Sequence, residues 1–346
     1  MLLPPAALRR ILLLPVLLGL LCAAARADLV WNQQGGWRVE GGALSGLTGT
    51  EGRTALDLMN KARQAEEAHS YRAALSAYTK VTKKYPTSIY APEAYYHTAK
   101  IYEAKKQYFK AFDAYQQILG RYPNVKRFNQ LIENQFRIAS FLLDGGRSRI
   151  WGIFPGFVNR EKAVQYMAVI VSEAPYSDYA PLALMECARG QIYLGQSEEA
   201  IDTLDRMVNS YGQSVLSPEA YLRLSKLHAS LVEGPYYDQA ETKQAISYNE
   251  DFMILFPNDP KIADAAQGLD SMKKMLALSK MKIGDFYFLN RDNYTAARVF
   301  YNEAITSYPD SDVAKQARQR LNQVEAKAKA ATEGGGQPKP KHFLFF

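Results

Sequence analysis

A 37-residue recurrence settles most of what this chain can fold into. Ala74, Tyr78, Val81 and Tyr85-Pro86 return as Ala111, Tyr115, Ile118 and Tyr122-Pro123, 37 residues later. Further copies are Ala163, Met167, Ile170 and Ala174-Pro175, then Ala200, Leu204, Met207 and Tyr211-Gly212. Ala245, Asn249, Phe252 and Phe256-Pro257 follow, and Ala297, Tyr301, Ala304 and Tyr308-Pro309 end the series. A fixed period of this size marks stacked units, each burying a face against its neighbours.

Within a copy the marked positions fall at i, i+4 and i+7, one face of an α-helix. Alanine at the first position lets a neighbouring helix approach, and the aromatic at i+4 fills the space beside it. The following proline cannot continue a helix and ends it. Six residues on, Pro92, Pro181 and Pro218 are placed to start the next helix, where a missing N–H costs nothing. A second helix fits between these stops, as in Pro92–Glu103 with Ala94, Tyr95, Thr98, Ala99 and Tyr102 inward.

These residues resemble the tetratricopeptide repeat. Ala74, Tyr78, Val81 and Pro86 match the second helix of that family, and Tyr95, Ala99 and Tyr102 match its first. The resemblance covers about residues 54–325 and implies an all-α solenoid of about six helical pairs, superhelical with a concave groove.

The period is broken three times. Ala111 to Ala163 is 52 residues, and the extra stretch is Asp144–Val158, DGGRSRIWGIFPGFV. Trp151, Phe154 and Phe157 make it apolar for a loop, so it either folds back on the solenoid, the expected outcome, or meets a partner. A surplus of eight around Glu233–Ala240 carries the turn Gly234-Pro235. The third, between Ala245 and Ala297, has no Gly/Pro loop and reads as one long helix, Lys261–Leu289.

The ends differ from the middle. Residues 1–27 read as a secretory signal peptide: Arg9 and Arg10, the apolar run Ile11–Leu21, then Ala25-Arg26-Ala27 as a cleavage site. Cys22 offers lipidation as the alternative, disfavoured by the bulky Leu21 before it. Removing the leader deletes three arginines and no acid, taking the formal charge from +7 to +4, too little to argue for nucleic acid. Cys187 is then the sole cysteine and reads as a small buried side chain. Residues 28–53 hold Trp31 and Trp37 in a glycine-rich, extended or loosely ordered segment that anchors either to the first repeat or to a partner. The solenoid is expected over 54–328, and 329–346 as a disordered tail ending in an aromatic cluster, Phe343 to Phe346.

No catalytic constellation is present. His69, His97, His228 and His342 are scattered, with no metal-ligand spacing, phosphate loop or nucleophile elbow, so no cofactor and no metal are expected. A ladder of cations is more informative. Arg63, Lys100 and Arg137 are 37 apart, and Arg189 and Lys226 continue the series after the insertion. If Pro92, Pro181 and Pro218 mark first positions, all five stand ninth in the first helix of their pair. In the repeat family that helix lines the concave surface, which makes the ladder a receptor for a carboxylate or an acidic extended peptide. Met59 and Tyr96, at the fifth position, would be its apolar neighbours. The alternative is a solvated face, since Arg63/Glu66 and Lys100/Glu103 are i,i+3 pairs.

The carboxy-terminal third resembles the BamD-type family of the outer-membrane β-barrel assembly machinery. The matching residues are Asp238, Ala245, Phe252, Pro257, Asp264-Ala265 with Leu269, Leu276-Ala277, Gly284 with Phe286-Tyr287, and Tyr308-Pro309 with Ser311. The chain departs from that pattern at Gly268 and Lys280. The resemblance implies a non-enzymatic scaffold, exported to the periplasm and peripheral to the inner face of the outer membrane. Its partners would be nascent outer-membrane proteins and the barrel-forming subunit. A periplasmic adaptor of the cell-division, Tol–Pal or cell-wall kind is the alternative, and a peptidoglycan-processing subunit has only location in its favour.

Overall fold

The computed structural model describes residues 28–32, 35–40 and 50–333. Six helical pairs run along the described chain: α1 (Thr50–Glu67) with α2 (Tyr71–Lys84), α3 (Tyr90–Ala104) with α4 (Tyr108–Arg121), and α5 (Phe128–Leu143) with α6 (Arg160–Glu173). They continue as α7 (Tyr179–Tyr193) with α8 (Ser197–Ser210), α9 (Ser217–Ser230) with α10 (Ala240–Leu255), and α11 (Ile262–Asp285) with α12 (Tyr294–Ser307). A last helix, α13 (Asp312–Glu333), packs on α12. The fold is an all-α, tetratricopeptide-like solenoid. All eighteen recurring positions, from Ala74 to Ala304, are buried, so the period is the core itself. The chain divides into two compact units, Met1–Tyr179 and Ala180–Phe346.

The turn joining paired helices needs one left-handed residue: His69, Lys106, Gly195 and Asp292 supply it, with φ of 55, 56, 76 and 50°. In the first two turns the N–H of the left-handed residue and of the next reach back, His69 to Glu66 and Ser70 to Ala65, then Lys106 to Glu103 and Gln107 to Tyr102. This is the capping geometry that satisfies a helix's last carbonyls.

The first helices begin earlier than their prolines suggest. They start two residues before Pro92 and Pro181 and one before Pro218. Proline is tolerated throughout the first turn, where the N–H groups have no intrahelical acceptor. Lys100 is therefore the eleventh residue of α3, not the ninth. Likewise α1 starts at Thr50 rather than near 54.

In the first unit, β1 (Asp28–Asn32) and β2 (Gly36–Glu40) pair antiparallel, with Trp31 opposite Trp37. Trp37 is buried against Ala55, Met59, Ala62 and Tyr78, and its backbone N–H donates to Asn60 Oδ1 at 2.7 Å. A side chain on Gly36 (φ +71°) would meet that same Oδ1 at 2.8 Å, so the turn needs glycine. The two tryptophans thus anchor this stretch to the first repeat.

The insertion does not fold its aromatics onto the solenoid. Its backbone is held, with Arg149 N–H donating to Lys106 O at 2.7 Å and a second small hairpin, β3 (Arg149–Ile150) with β4 (Phe154–Pro155), at its tip. Trp151, Ile153, Phe154 and Phe157 all remain exposed. The base is fixed by the backbone, and the side chains beyond it stand in solvent.

In the second unit, the Glu233–Ala240 surplus is tied by Gln239, whose amide donates to the carbonyls of Gly234 and Tyr237 at 2.9 and 2.8 Å. The long helix holds, but not as one α-helix to Leu289: α11 ends at Asp285 and passes into a π-helical turn, Phe286–Asn290. A wider turn turns Phe288 inward onto Tyr294 and Tyr301, while Phe286 and Leu289 stay exposed. The close approach of Tyr301 requires Gly284, whose added Cβ would lie 2.9 Å from that ring. Residues 329–333, expected to be disordered, complete α13. The leader with Cys22 and the aromatic cluster Phe343 to Phe346 lie outside the described residues. Among the described residues no helix is long and apolar enough to cross a membrane.

Candidate functional site

The cations of the ladder lie in two different settings. In the first unit each is engaged by an acid that also holds a buried tyrosine. Tyr78 donates to Glu66 at 2.8 Å, joining α2 to α1, and Arg63 bridges Glu66 and Glu67, both at 3.2 Å. Arg63 is further covered by the Trp31 ring, 5.2 Å from its guanidinium. One repeat on, Tyr115 donates to Glu103, which also takes Arg137 at 2.6 Å and lies 3.8 Å from Lys100. Lys100 and Arg137 therefore converge on one carboxylate. Met59 is no groove residue: it is fully enclosed in the core with Trp37 and Tyr78, because the β1–β2 hairpin closes that side of α1. Tyr96 is half-buried, with the Arg127 guanidinium 4.8 Å from its ring centroid.

His97 completes the first of these clusters. It stacks on Tyr78 (5.4 Å, 11°), places Nδ1 2.9 Å from Glu66 and Nε2 3.5 Å from Glu93. Burial disfavours the charged imidazole, but the hydrogen bonds and charges of Glu66 and Glu93 overcome it and raise the His97 pKa. Burial likewise raises the Glu66 carboxyl, and His97, Tyr78 and Arg63 outweigh it, holding it below the ordinary carboxylate range. Among the described residues no group of three His, Cys, Asp or Glu is arranged to hold a metal.

The second unit offers an open site instead. Arg189 on α7 and Lys226 on α9 are brought together on one cavity of about 420 Å³, with Arg223, Ile192, Leu227 and Ser230. Three cations thus ring an apolar floor. Arg189 and Arg223 each have an acid on their own helix, Glu186 and Glu219, the latter at 2.9 Å. Neither acid lines the cavity. Such a recess suits a ligand with one carboxylate and one apolar side chain. Farther along, a recess of about 500 Å³ is lined by the exposed side chains of Tyr236, Tyr237, Phe286 and Leu289, with Lys282 beside them. Cys187, in contrast, is buried, and burial pushes its thiol up to about 11, which makes it inert as a nucleophile.

The family described as "Outer membrane lipoprotein" (YfiO) matches residues 158–333, half of the chain and all of the described second unit. This chain belongs to that family. A tetratricopeptide-repeat model matches residues 59–125 in the first unit. Two curated relatives, both outer membrane protein assembly factor BamD from strains of Xylella fastidiosa, are 25% and 24% identical over 152 residues. Each match covers 41% of this chain and 52% of the relative, so the chain spans about half the length of those proteins. Among solved structures, a tetratricopeptide repeat protein from Parabacteroides merdae is similar at 14% identity, over 79% of this chain and 100% of that one, with a TM-score of 0.30. RapI in its apo form is similar at 14% identity, over 78% and 76%, with a TM-score of 0.33.

The tyrosine–acid contacts were not read from the sequence, although a signal for them exists. Position i+3 after each ladder cation is Glu66, Glu103, Ser140, Ile192 and Ala229. The equivalent second-helix position, where Tyr78 and Tyr115 stand, is Met167, Leu204 and Asn249 in the next three copies. The acid occurs only where the tyrosine does. The last pair repeats the chemistry in another register, with Tyr301 donating to Asp285 at 2.7 Å.

Proposed function

We propose that this chain is a non-enzymatic scaffold of outer-membrane β-barrel assembly on the periplasmic side of the membrane. In this reading the cavity of Arg189, Arg223 and Lys226 receives the carboxy-terminal end of a nascent outer-membrane protein. A free carboxylate meets the cations, and the final aromatic side chain lies on Ile192 and Leu227. The recess of Tyr236, Tyr237, Phe286 and Leu289 holds the barrel-forming subunit. The observation that carries the reading is the cation-ringed apolar cavity, which lies within the family-matched residues. Lys100 and Arg137 serve the same ligand class less well, since both already face Glu103.

The test is binding of a short peptide ending in phenylalanine, as free acid and as amide, to the parent and to Arg189→Glu/Lys226→Glu. A hydrogen bond to a charged group contributes about 1.5–3 kcal/mol, so affinity for the free acid should fall roughly tenfold or more per charge. It should also weaken with salt. Equal binding of acid and amide, or by parent and variant, would sink the peptide site. Isolation of the chain from envelope membranes without the barrel-forming subunit would sink the scaffold assignment.

A further inference from the structure

The insertion hairpin of the first unit is unlike the rest of the surface. Four large apolar side chains stand close together on it: Trp151 is 73% exposed, Ile153 70%, Phe154 56% and Phe157 87%. The hairpin beneath them is built to stay in place. Ser148 is buried, its hydroxyl accepts from Phe109 N–H at 3.5 Å, and its carbonyl accepts from Gly156 N–H at 3.1 Å. Arg149 N–H is bonded to the α3–α4 turn at Lys106, and the Lys105 side chain lies against Gly152. At the tip, Trp151 (φ 54°) and Gly152 (φ 78°) both take the left-handed backbone, closed by Ile153 N–H donating to Ile150 O at 3.1 Å. That conformation is unfavourable for a bulky side chain, so the fold holds an indole outward at an energetic cost. Nothing in the core gains from it.

The apolar tip has a basic base. Arg147, Arg149 and Lys106 are exposed around it, Lys105 is half-exposed beside Gly152, and between Gly145 and Asn159 the chain carries no acid. Tryptophan and phenylalanine over a collar of Lys and Arg is the arrangement that partitions into a bilayer interface: the rings enter the headgroup region, and the cations meet anionic headgroups. A protein groove would have to cover four side chains that point off a narrow hairpin. A bilayer presents a surface that takes them all.

We propose that the Trp151–Phe157 hairpin is a membrane-docking element that inserts its aromatic tip into an anionic phospholipid surface, with Arg147, Arg149 and Lys106 on the headgroups. This goes beyond the scaffold reading and does not depend on it, because it needs lipid and no protein partner.

The experiment uses the full chain with vesicles of phosphatidylethanolamine and phosphatidylglycerol, against phosphatidylcholine alone. Trp151→Asn/Phe157→Ser removes the hairpin's two most exposed rings while Asn tolerates the left-handed turn. Partition onto anionic vesicles should fall about tenfold or more in this variant. It should fall similarly in Arg147→Glu/Arg149→Glu, and only on the anionic vesicles. The rest of the chain is common to all variants, so any binding by other segments cancels. A second reading uses Trp151→Phe: parent minus variant emission isolates residue 151. With vesicles that component should shift to the blue and be quenched by brominated acyl chains. Vesicle binding unchanged in the ring variant, or a Trp151 component that stays unshifted and unquenched, overturns the proposal. Binding of the hairpin to an acidic peptide with none to vesicles overturns it equally.

Discussion

The same repeat position behaves differently in the two units, and the difference lies one helical turn further on. In the first unit Arg63 and Lys100 are each followed at i+3 by an acid, and that acid is fixed by a buried tyrosine from the paired helix. In the second, Arg189 and Lys226 are followed by Ile192 and Ala229, Leu204 and Asn249 stand at the tyrosine's position in the repeat, and both cations line an open cavity. A periodic cation is thus not by itself a binding residue. Its surroundings decide whether it meets an acid that also holds a core tyrosine or lines a cavity.

The strongest way to separate the units is to break one of them. Ala277 is fully buried in α11, and proline there removes a backbone bond and clashes with the preceding turn, costing about 3 kcal/mol or more. Trp31, Trp37 and Trp151 all lie in the first unit, so tryptophan emission reports that unit while far-ultraviolet circular dichroism reports both. In Ala277→Pro the dichroism should lose amplitude at lower temperature, with a smaller shift in emission. Equal shifts would mean that the units unfold as one, and an unchanged melt would mean that α11 is not needed for stability.

Next in size is the conversion of one unit's chemistry to the other's. Glu103→Ile strands the hydroxyl of Tyr115, a fully buried side chain, at a cost of about 1–3 kcal/mol. Adding Tyr115→Phe removes the stranded group. The double variant should therefore be more stable than Glu103→Ile alone, with a non-additivity that measures the contact. Simple additivity would mean that this contact contributes nothing and that the acid is there for the cations alone.

A smaller effect should follow pH. The Glu66 contribution is fully present above its unfolded pKa of 4.5 and is lost as pH falls through its lower folded value. That of His97 is fully present below its unfolded pKa of 6.5 and is lost as pH rises through its higher folded value. Both operate between these two values, and the first unit should weaken on either side. His97→Gln should remove the alkaline limb, read by Trp37, whose ring lies edge-on 5.6 Å from the imidazole. A parent and variant with parallel alkaline profiles would show that the imidazole is neutral in the fold.

Much of the architecture was legible because the repeat is local: alanine, aromatic and proline at fixed offsets specify a helix face and its end, and the positions on that face are buried. What failed to show was set by contacts between segments. Met59 lies in the core and not in a groove because the β1–β2 hairpin closes over it, a contact between segments far apart in the chain. The direction of the Trp151 loop depends on a backbone bond to Lys106, which no pattern within the loop reveals. The π-turn after Asp285 follows from the inward packing of Phe288 on Tyr294 and Tyr301, beyond any count of helical periods. The tyrosine–acid contacts span twelve residues in the first unit, and they emerge only when two helices are aligned across the repeats.

The smallest effect is the sharpest test of the contrast. Arg189 is half-exposed and pairs with Glu186, an i,i+3 neighbour on the same helix. Exposed pairs of that kind contribute about 0.2–0.5 kcal/mol, and the Lys226 side chain is exposed. Arg189→Gln/Lys226→Gln should therefore shift the dichroism melt by about 0.5 kcal/mol or less, while affinity for a free-acid peptide drops. Stability and binding would be uncoupled there, as they cannot be at Glu103, where one carboxylate serves a core tyrosine and two cations. A loss of about 2 kcal/mol in the glutamine variant would instead place these cations in the structural role of the first unit. The cavity would then have no claim on a ligand.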